Sequence, residues 1–240
     1  MSRILLIDTA SEVCSAAIAV NGRIVADVED LHAASHAALL TLQIDACVKQ
    51  SGLPLASLDA VALSSGPGAY TSLRVGASVA KGICYALDKP LIAVDTLLSL
   101  AVAARDWSDL QGINMARIYI PAIDARRQEI WTALYDAELR LIAPAQALIL
   151  ENNLFESFIG QAPGHDDSTC AVISGNGVEK IRSGWNGKAP VFFTEIKCSA
   201  LHLASLATLY LQNGDFQDIA YFEPFYMKLP NITKPNNPIF

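Results

Sequence analysis

Features that would place a chain in a familiar class are scarce in these 240 residues. Charged residues make up only 17%, and 24 acidic residues outnumber 17 basic ones. The net charge of −7 and the lack of any basic run argue against autonomous RNA or DNA binding, because such binding depends on Lys and Arg side chains that neutralise phosphates. Any role involving nucleic acid should therefore be indirect.

Long apolar runs and paired cysteines are also absent. No run approaches the roughly 18 residues that a membrane span needs, and the segment Ile4–Ile7 is too short for the core of a signal peptide. The five cysteines are widely spaced and form no CxxC pair, which argues against a secreted disulfide framework and against a zinc site. We therefore expect a cytoplasmic protein with reduced, mostly buried thiols.

Motifs for nucleophiles and metal ligands are missing as well. No serine stands in a GxSxG motif, and no Cys, His and Asp order typical of a cysteine nucleophile is present. His32 and His36 have the spacing of metal ligands on a helix, but no HExxH glutamate lies between them and a third ligand would have to come from elsewhere. Solvated histidines at a helix entry are the simpler interpretation, and we predict neither a catalytic residue nor a metal site.

What is present is ample apolar material for a core, at 52% of the residues. Apolar segments predict an antiparallel meander over Ile4–Ile7, Ser15–Val20 and Arg23–Val28, with a type I′ turn at Asn21-Gly22. The order of strand, acidic residue, loop and strand restarts beyond about residue 105, over Arg117–Ile123, Glu129–Tyr135 and Arg140–Leu141. The sequence therefore predicts two βββ units.

Helices and short strands alternate through the rest of the chain. Helices are predicted over 35–50, 71–87, 96–105 and 199–211, with a weak one over 152–160, and strands over 60–64, 91–94 and 170–174. A polar loop is predicted over 164–169 and an irregular tail beyond residue 230. This order predicts two α/β domains, 1–104 and 105–240, and we expect the final helix to pack back on the first domain.

An acidic residue ends the first strand of each βββ unit, and a glycine-bounded turn follows a late strand. In actin-like and sugar-kinase-like folds, such positions form two phosphate loops and an adenosine loop around one cleft, where the acids hold a metal ion through water. The candidate nucleotide-binding residues are Asp8, Thr9, Asp124, Gly175 and Gly177. Ala10 and Asn176 stand where such loops usually have glycine, and the alternative is that these acids only cap strands and turns.

A glycine-rich segment, Ser64–Thr71, lies between a predicted strand and a predicted helix. That position is typical of an anion site at a helix N-terminus. The segment lacks the lysine of a P-loop and the glycine spacing of a dinucleotide fingerprint. By these criteria alone it is a tight turn with exposed amides.

Two predicted helices carry apolar or small residues on more than one face. On the first, one apolar stripe can cover its own sheet, while a nearly opposite stripe needs another cover. On the second, small residues at a spacing of four permit the close approach of another helix. Either both faces are buried within one chain or they form a two-fold subunit interface. The candidate interface residues are Leu39, Leu42, Ala46, Ser72, Gly76, Ala77 and Ala80.

Five motifs occur in a characteristic order: Ile7–Ala10, Ser35-His36, Ser65–Gly76, Ile123–Ile130 and Glu223–Tyr226. Together they resemble the bacterial TsaB family, also called YeaZ. The resemblance is collinear over nearly the whole chain, and its most specific part is the central segment that begins Ser-Gly-Pro-Gly.

The resemblance implies an actin-like (ASKHA) α/β fold with two RNase H-like domains. It implies a noncatalytic subunit of the complex that makes threonylcarbamoyladenosine beside the anticodon of tRNA. Such a subunit binds and supports the catalytic subunit TsaD, joins with the ATPase TsaE, and forms a homodimer in isolation through the same N-terminal helices. It further implies no cofactor of its own, ATP bound only through partner subunits, tRNA contacted only through the complex, and no membrane association.

Two other functions compete with this interpretation. A free-standing ATPase or phosphotransferase would use the candidate nucleotide-binding residues and would release phosphate when ATP is added. A metallopeptidase, which the kinship with TsaD invites, would need a set of metal ligands that the sequence lacks.

Overall fold

Two five-stranded mixed sheets form the framework of the chain, in a computed structural model that describes residues 1–33, 35–113, 115–150, 154–162, 169–185 and 190–228. The first sheet has the order β3-β2-β1-β4-β5 and contains β1 (Arg3–Asp8), β2 (Cys14–Val20), β3 (Arg23–Asp30), β4 (Ala60–Ser64) and β5 (Leu91–Val94). The second has the order β8-β7-β6-β9-β10 and contains β6 (Ala116–Asp124), β7 (Glu129–Tyr135), β8 (Leu141–Ile149), β9 (Thr169–Ser174) and β10 (Val191–Thr194).

The two sheets share one topology. In each, the first three strands form an antiparallel meander, and two parallel strands are added beside the first strand. This confirms the predicted duplication and the α/β fold class. It also brings the carboxyl ends of β1 and β6, where Asp8 and Asp124 lie, to corresponding positions of the two sheets.

Helices cover both faces of the first sheet. The helices of the chain are α1 (His36–Ser51), α2 (Tyr70–Leu87), α3 (Thr96–Leu110), α4 (Leu154–Ile159), α5 (Val178–Arg182) and α6 (Ala204–Asn213). Helices α1 and α2 pack on one face of the first sheet and α6 on the other, while α3 packs against β6 and β9. Since α3 spans residues 104 and 105, the division into domains at that point stays a prediction.

Strand β1 shows why its sheet needs cover on both sides. Leu5 and Ile7 belong to the apolar cluster under α1 and α2, while Ile4 and Leu6 belong to the cluster under α6. Alternate side chains of a strand point to opposite faces, so a continuous apolar run is buried twice.

The predicted turn at Asn21-Gly22 and the predicted end of the first helix at Gly52 are both present in the structure. Asn21 and Gly22 both have positive φ angles, 50° and 77°, as a type I′ turn requires. Gly52 ends α1 in the left-handed conformation. Ser35 occupies the N-cap position of α1, but its side chain makes no capping hydrogen bond.

Several elements differ from the prediction. Helix α3 runs to Leu110, five residues beyond the predicted end, because Ser108 and its neighbours pack on β6. Strand β8 is a full strand where only Arg140–Leu141 was expected, and both α5 and β10 escaped prediction. The last predicted helix begins as a 3-10 turn over Ala200–Leu203 before α6. The tail beyond residue 230, positions 152–153 and most of the 164–169 loop lie outside the described residues.

All five cysteines are buried free thiols, which confirms that part of the prediction. Burial raises the pKa of Cys14, Cys47 and Cys84 to about 11. Such thiols carry little thiolate at neutral pH and are poor nucleophiles. Within the described ranges, no helix combines the length and apolar character that crossing a membrane would require.

Candidate functional site

The loop after β1 is sealed beneath the start of α2. Asp8, Thr9 and Ala10 are at most 1% exposed. The backbone amide of Ala69 donates to the Ala10 carbonyl oxygen at 2.7 Å, and a Cβ placed on Gly68 would lie 2.4 Å from that same oxygen. Residues 8–10 of this loop are therefore packed beneath α2.

Helix α2 makes a second close contact with the same loop. A Cβ on Gly76 would lie 2.4 Å from Thr9 Oγ1, so only glycine allows the helix to approach this closely. The expectation that Asp8 and Thr9 face a nucleotide is corrected by this packing, because neither side chain is accessible to a ligand.

Asp8 is a buried carboxyl group with an incomplete set of partners. Its Oδ1 accepts a hydrogen bond from the Ala10 amide at 2.9 Å, whereas its Oδ2 has no hydrogen-bond partner among the described residues. Burial disfavours the ionised form more than the Ala10 amide favours it, which raises the pKa of Asp8 to about 7. A carboxyl group in this state is poorly suited to holding a metal ion.

Asp124, its counterpart on β6, is accessible but already paired. Its Oδ1 lies 2.6 Å from Lys180 Nζ and also accepts the backbone amide of Arg126 at 2.6 Å. Lys180 Nζ donates in addition to the carbonyl oxygen of Glu129 at 3.2 Å. The Lys180 ammonium group is thus paired with the carboxylate that actin-like folds would use to hold a metal ion.

The glycine-bounded turn after β9 presses against strand β6. A Cβ on Gly175, whose φ is +112°, would lie 2.2 Å from the Ala122 carbonyl oxygen, and one on Gly177 would lie 3.0 Å from it. The Gly177 amide donates to this oxygen at 2.9 Å. Both glycines allow close backbone packing on β6, and their place in a nucleotide-binding turn stays a prediction.

Between the two sheets a cleft of about 420 Å³ remains, lined by His36, Ser72, Asp124, Trp131 and Asn176 among others. His36 Nε2 lies 3.2 Å from the Val13 carbonyl oxygen and its Nδ1 lies 3.4 Å from Ser72 Oγ, so this ring is held by the chain and is not a solvated helix-entry histidine. His32 is exposed. Among the described residues, no group of three His, Cys, Asp or Glu side chains could hold a metal ion.

A nucleotide with its metal ion does not fit this cleft. One carboxyl group is buried, with a pKa raised to about 7, and the other is paired with Lys180.

The candidate interface residues divide between the inside and the outside of the chain. Gly76, Ala77 and Ala80 are buried residues of α2, and the two alanines belong to the apolar core beneath this helix. They lie against the first sheet because the small ridge lets α2 approach its own strands, so their placement at a subunit contact is corrected. Ser72 is half-buried and lines the cleft beside His36, so its place at a subunit contact stays a prediction.

Helix α1 has its two apolar stripes in different environments. The stripe containing Leu40 and Ile44 is buried on the sheet, as predicted. In the other stripe, Leu42 is 65% exposed, Ala46 is half-buried, and Leu39 packs partly against the core. These three positions remain candidates for a partner contact.

Sequence reasoning missed an apolar groove between α1 and α2. A cavity of about 410 Å³ is lined by Ile44, Val48, Leu55, Val79, Gly82 and Ile83 with a few polar neighbours. A second cavity of about 440 Å³ adjoins it at Ser78 and Val79, so the groove continues toward Ala37 and Val75. The spacing of four between Val75, Val79 and Ile83 was the available signal.

A C-terminal strap, residues 217–228, also lay outside the sequence reasoning as a structural element. The Phe225 amide donates to the Ser65 carbonyl oxygen at 2.7 Å, and a Cβ on Gly66 would lie 2.5 Å from the Phe225 carbonyl oxygen. The ring of Tyr226 lies 4.6 Å from that of Tyr70 at the start of α2. The strap therefore holds the glycine-rich segment in place.

Known proteins similar to this chain indicate its family and its fold. The family model described as TsaD, tRNA N6-adenosine threonylcarbamoyltransferase, matches residues 28–234. A Haemophilus influenzae protein named tRNA threonylcarbamoyladenosine biosynthesis protein TsaB is 34% identical over 128 residues, which are 53% of this chain and 51% of that protein. The crystal structure of a Pseudomonas aeruginosa protein described as similar to peptidase YEAZ superposes with a TM-score of 0.78 at 27% identity, covering 95% of this chain and 100% of that one.

The chain belongs to the TsaB (YeaZ) branch of the TsaD family. The matched region spans about half the length of the curated TsaB relatives. The actin-like fold of this TsaB-family chain is also seen in its likeness to an inorganic polyphosphate/ATP-glucomannokinase from Arthrobacter sp. strain KM, with a TM-score of 0.52 at 10% identity over 89% of the chain. That likeness concerns the fold alone.

The glycine turn generates the first prediction. Gly175→Ala should lower the free energy of unfolding by about 2 kcal/mol or more, because alanine at φ +112° is strained and its Cβ meets backbone that cannot move aside. Urea unfolding followed by circular dichroism measures the change. The matched control is Gly82→Ala on α2, where no atom lies within 4 Å of the new Cβ. Gly82→Ala should raise the free energy of unfolding by roughly 0.5–1 kcal/mol. A similar loss of stability in both variants would contradict the close packing of Gly175 on Ala122.

The second prediction follows from the raised pKa of Asp8, about 7 against an ordinary value of 3.8. Between these values the folded protein keeps a proton that the unfolded chain releases, so rising pH costs up to roughly 1.4 kcal/mol of stability per pH unit. Asp8→Asn removes this titration. The free energy of unfolding of Asp8→Asn minus that of the parent should therefore increase from pH 4 to pH 7 and level off above pH 7.

Urea unfolding at several pH values provides the measurement. Asp88→Asn, which removes an exposed carboxylate at the end of α2, is the charge-matched control. An Asp8→Asn difference that stays flat across this range, or an equal trend in the control, would show that Asp8 is ionised in the folded protein.

Proposed function

We propose that this chain is a noncatalytic cytoplasmic subunit of the machinery that makes threonylcarbamoyladenosine in tRNA. It binds a TsaD-type catalytic subunit, supports its activity together with the ATPase TsaE, and pairs with a second copy of itself in isolation. ATP and tRNA are bound by the assembled complex through the partner subunits. The observation that supports this proposal most is the exposed apolar groove between α1 and α2.

The groove has the chemistry of a helix-docking surface. Aliphatic side chains from both helices line it, and no atom lies within 4 Å of a Cβ built on Gly82 at its edge. An amphipathic helix of a partner would bury these groups, and burial of apolar surface is the main favourable term in association.

The noncatalytic role is supported by the state of the cleft. Neither carboxyl group at the sheet ends is free to bind a metal ion, and burial raises the pKa of the cysteine thiols that could serve as nucleophiles. A free-standing ATPase or phosphotransferase gains no support from this arrangement. Its phosphate loop would have to leave the packing beneath α2 before it could act.

The groove provides the test of the partner surface. Val79→Lys places a charge in the middle of the groove and should weaken both self-association and TsaD binding by roughly 30-fold or more, since loss of a central contact costs about 2 kcal/mol or more. Size-exclusion chromatography with light scattering measures the dimer, and titration with the cognate TsaD measures the complex. Leu209→Lys on α6, at a position 48% exposed on the other side of the first sheet, is the matched control and should leave both unchanged.

Two outcomes would count against this surface. Intact dimer and TsaD binding in a folded Val79→Lys protein would exclude the groove, and an equal loss in Leu209→Lys would point to a general effect of the added charge. Circular dichroism at the assay temperature establishes that both variants are folded.

The noncatalytic assignment has a test of its own. Asp124→Asn should leave threonylcarbamoyl transfer by the reconstituted complex within a few-fold of the parent, because this carboxylate pairs with Lys180 and not with a reacting group. Loss of a catalytic acid or base usually costs on the order of 100-fold or more. A drop of that size at unchanged TsaD binding would make this chain a contributor to the chemistry.

A further inference from the structure

The mouth of the cleft is bridged by side chains from both halves of the chain. Glu12, on the loop after β1, accepts a hydrogen bond from Asn176 Nδ2 at 2.5 Å, and its other carboxylate oxygen lies 3.3 Å from Lys197 Nζ. Asn176 Oδ1 in turn accepts the backbone amide of Asp124 at 2.9 Å. With the Lys180 ion pair to Asp124, these five residues form a connected set that we call the cleft latch.

The cleft latch is balanced in charge and confined in space. Two carboxylates, Glu12 and Asp124, face two ammonium groups, Lys180 and Lys197, and the four side chains are between 21% and 36% exposed. Partly buried charges in mutual contact are screened less by salt than fully exposed pairs. The Asn176 amide connects the two halves of the chain, because its nitrogen donates to Glu12 in the first half and its oxygen accepts from Asp124 in the second.

Asn176 and Lys180 both bond Asp124, the accessible carboxylate of the cleft. Asn176 lines the cleft, and its side chain bonds Glu12 and the Asp124 amide, which a glycine at this position could not do. The ammonium group of Lys180 neutralises Asp124, so a divalent cation would have to displace it and would still lack the buried Asp8 as a second ligand.

Apolar contacts reinforce the latch from below. Ala10 and Leu73 from the first half share one cluster with Tyr119, Ile123 and Val172 from the second. The strap adds another connection, since Lys228 forms an ion pair with Glu129 on β7 while Phe225 is hydrogen-bonded to Ser65. The two sheets are thus joined at the mouth, in the interior and along the strap.

We propose that the cleft latch locks the two sheets into one rigid body and takes the place of a nucleotide and its metal ion. Related folds close around ligands by hinge motion between domains. In this chain the side chains of Glu12, Asn176 and Lys180 hold the closed arrangement without a ligand. The proposal is independent of the partner role, because it concerns contacts within one chain.

Spin-label distance measurements can test the lock. Arg23→Cys on the edge strand β3 and Glu138→Cys at the β7–β8 turn place labels on exposed positions of the two sheets, and the five native cysteines are buried. An excess of unlabelled chain removes distances between protomers. The labelled parent should show a single narrow distance that does not change when ATP and Mg²⁺ are added.

Asn176→Gly combined with Lys180→Met opens the latch, and the expected result is loss of the single distance in favour of a broad or multiple distribution. Asn176→Gly alone serves if the double variant does not fold, as judged by circular dichroism. The control is Arg182→Met on the same helix, whose partners Glu179 and Glu195 lie outside the latch, and it should keep the parent distribution. A narrow, unchanged distance in the folded latch variants would overturn the proposal, as would a parent whose distance shifts with ATP and Mg²⁺.

Discussion

The close contact between α2 and the loop after β1 is the constraint on which the rest of the molecule depends. Gly68 and Gly76 have no side chains, so the helix start and the first turns of α2 reach the backbone of Ala10 and the side chain of Thr9 directly. This approach buries the side chains of Asp8 and Thr9. It also fixes the direction of α2, and with it the position of Val79 and Ile83 beside α1.

The close contact of α2 with the loop after β1 therefore has two consequences. In the first half it buries the loop after β1, and on the outer side of the same helix it leaves an apolar groove. The second half repeats the device, since Gly175 lets a turn approach the Ala122 carbonyl oxygen just as Gly68 lets another approach Ala10.

The two acidic residues at the strand ends illustrate how environment separates equivalent positions. Asp8 loses water on all sides, which raises its pKa, while Asp124 stays near solvent and gains an ammonium partner from α5. The lysine lies 56 residues further along the chain, on a helix that sequence patterns did not reveal. No spacing rule connects the two, because the parallel pairing of β6 with β9 is what brings them together.

The sequence by itself determined the repeated βββ order, the Asn21-Gly22 turn, the end of α1 at Gly52 and the family, because these depend on local conformational preferences and on short motifs of fixed order. Only the tertiary structure decided which face of α2 is covered and whether the acids at the strand ends are free. Periodicity gives a helix its faces but does not say which one meets its own sheet, so Ala77 and Ala80 were expected outside and lie inside. The state of Asp8 and Asp124 likewise follows from burial and from long-range partners, which exist only once distant segments have packed together.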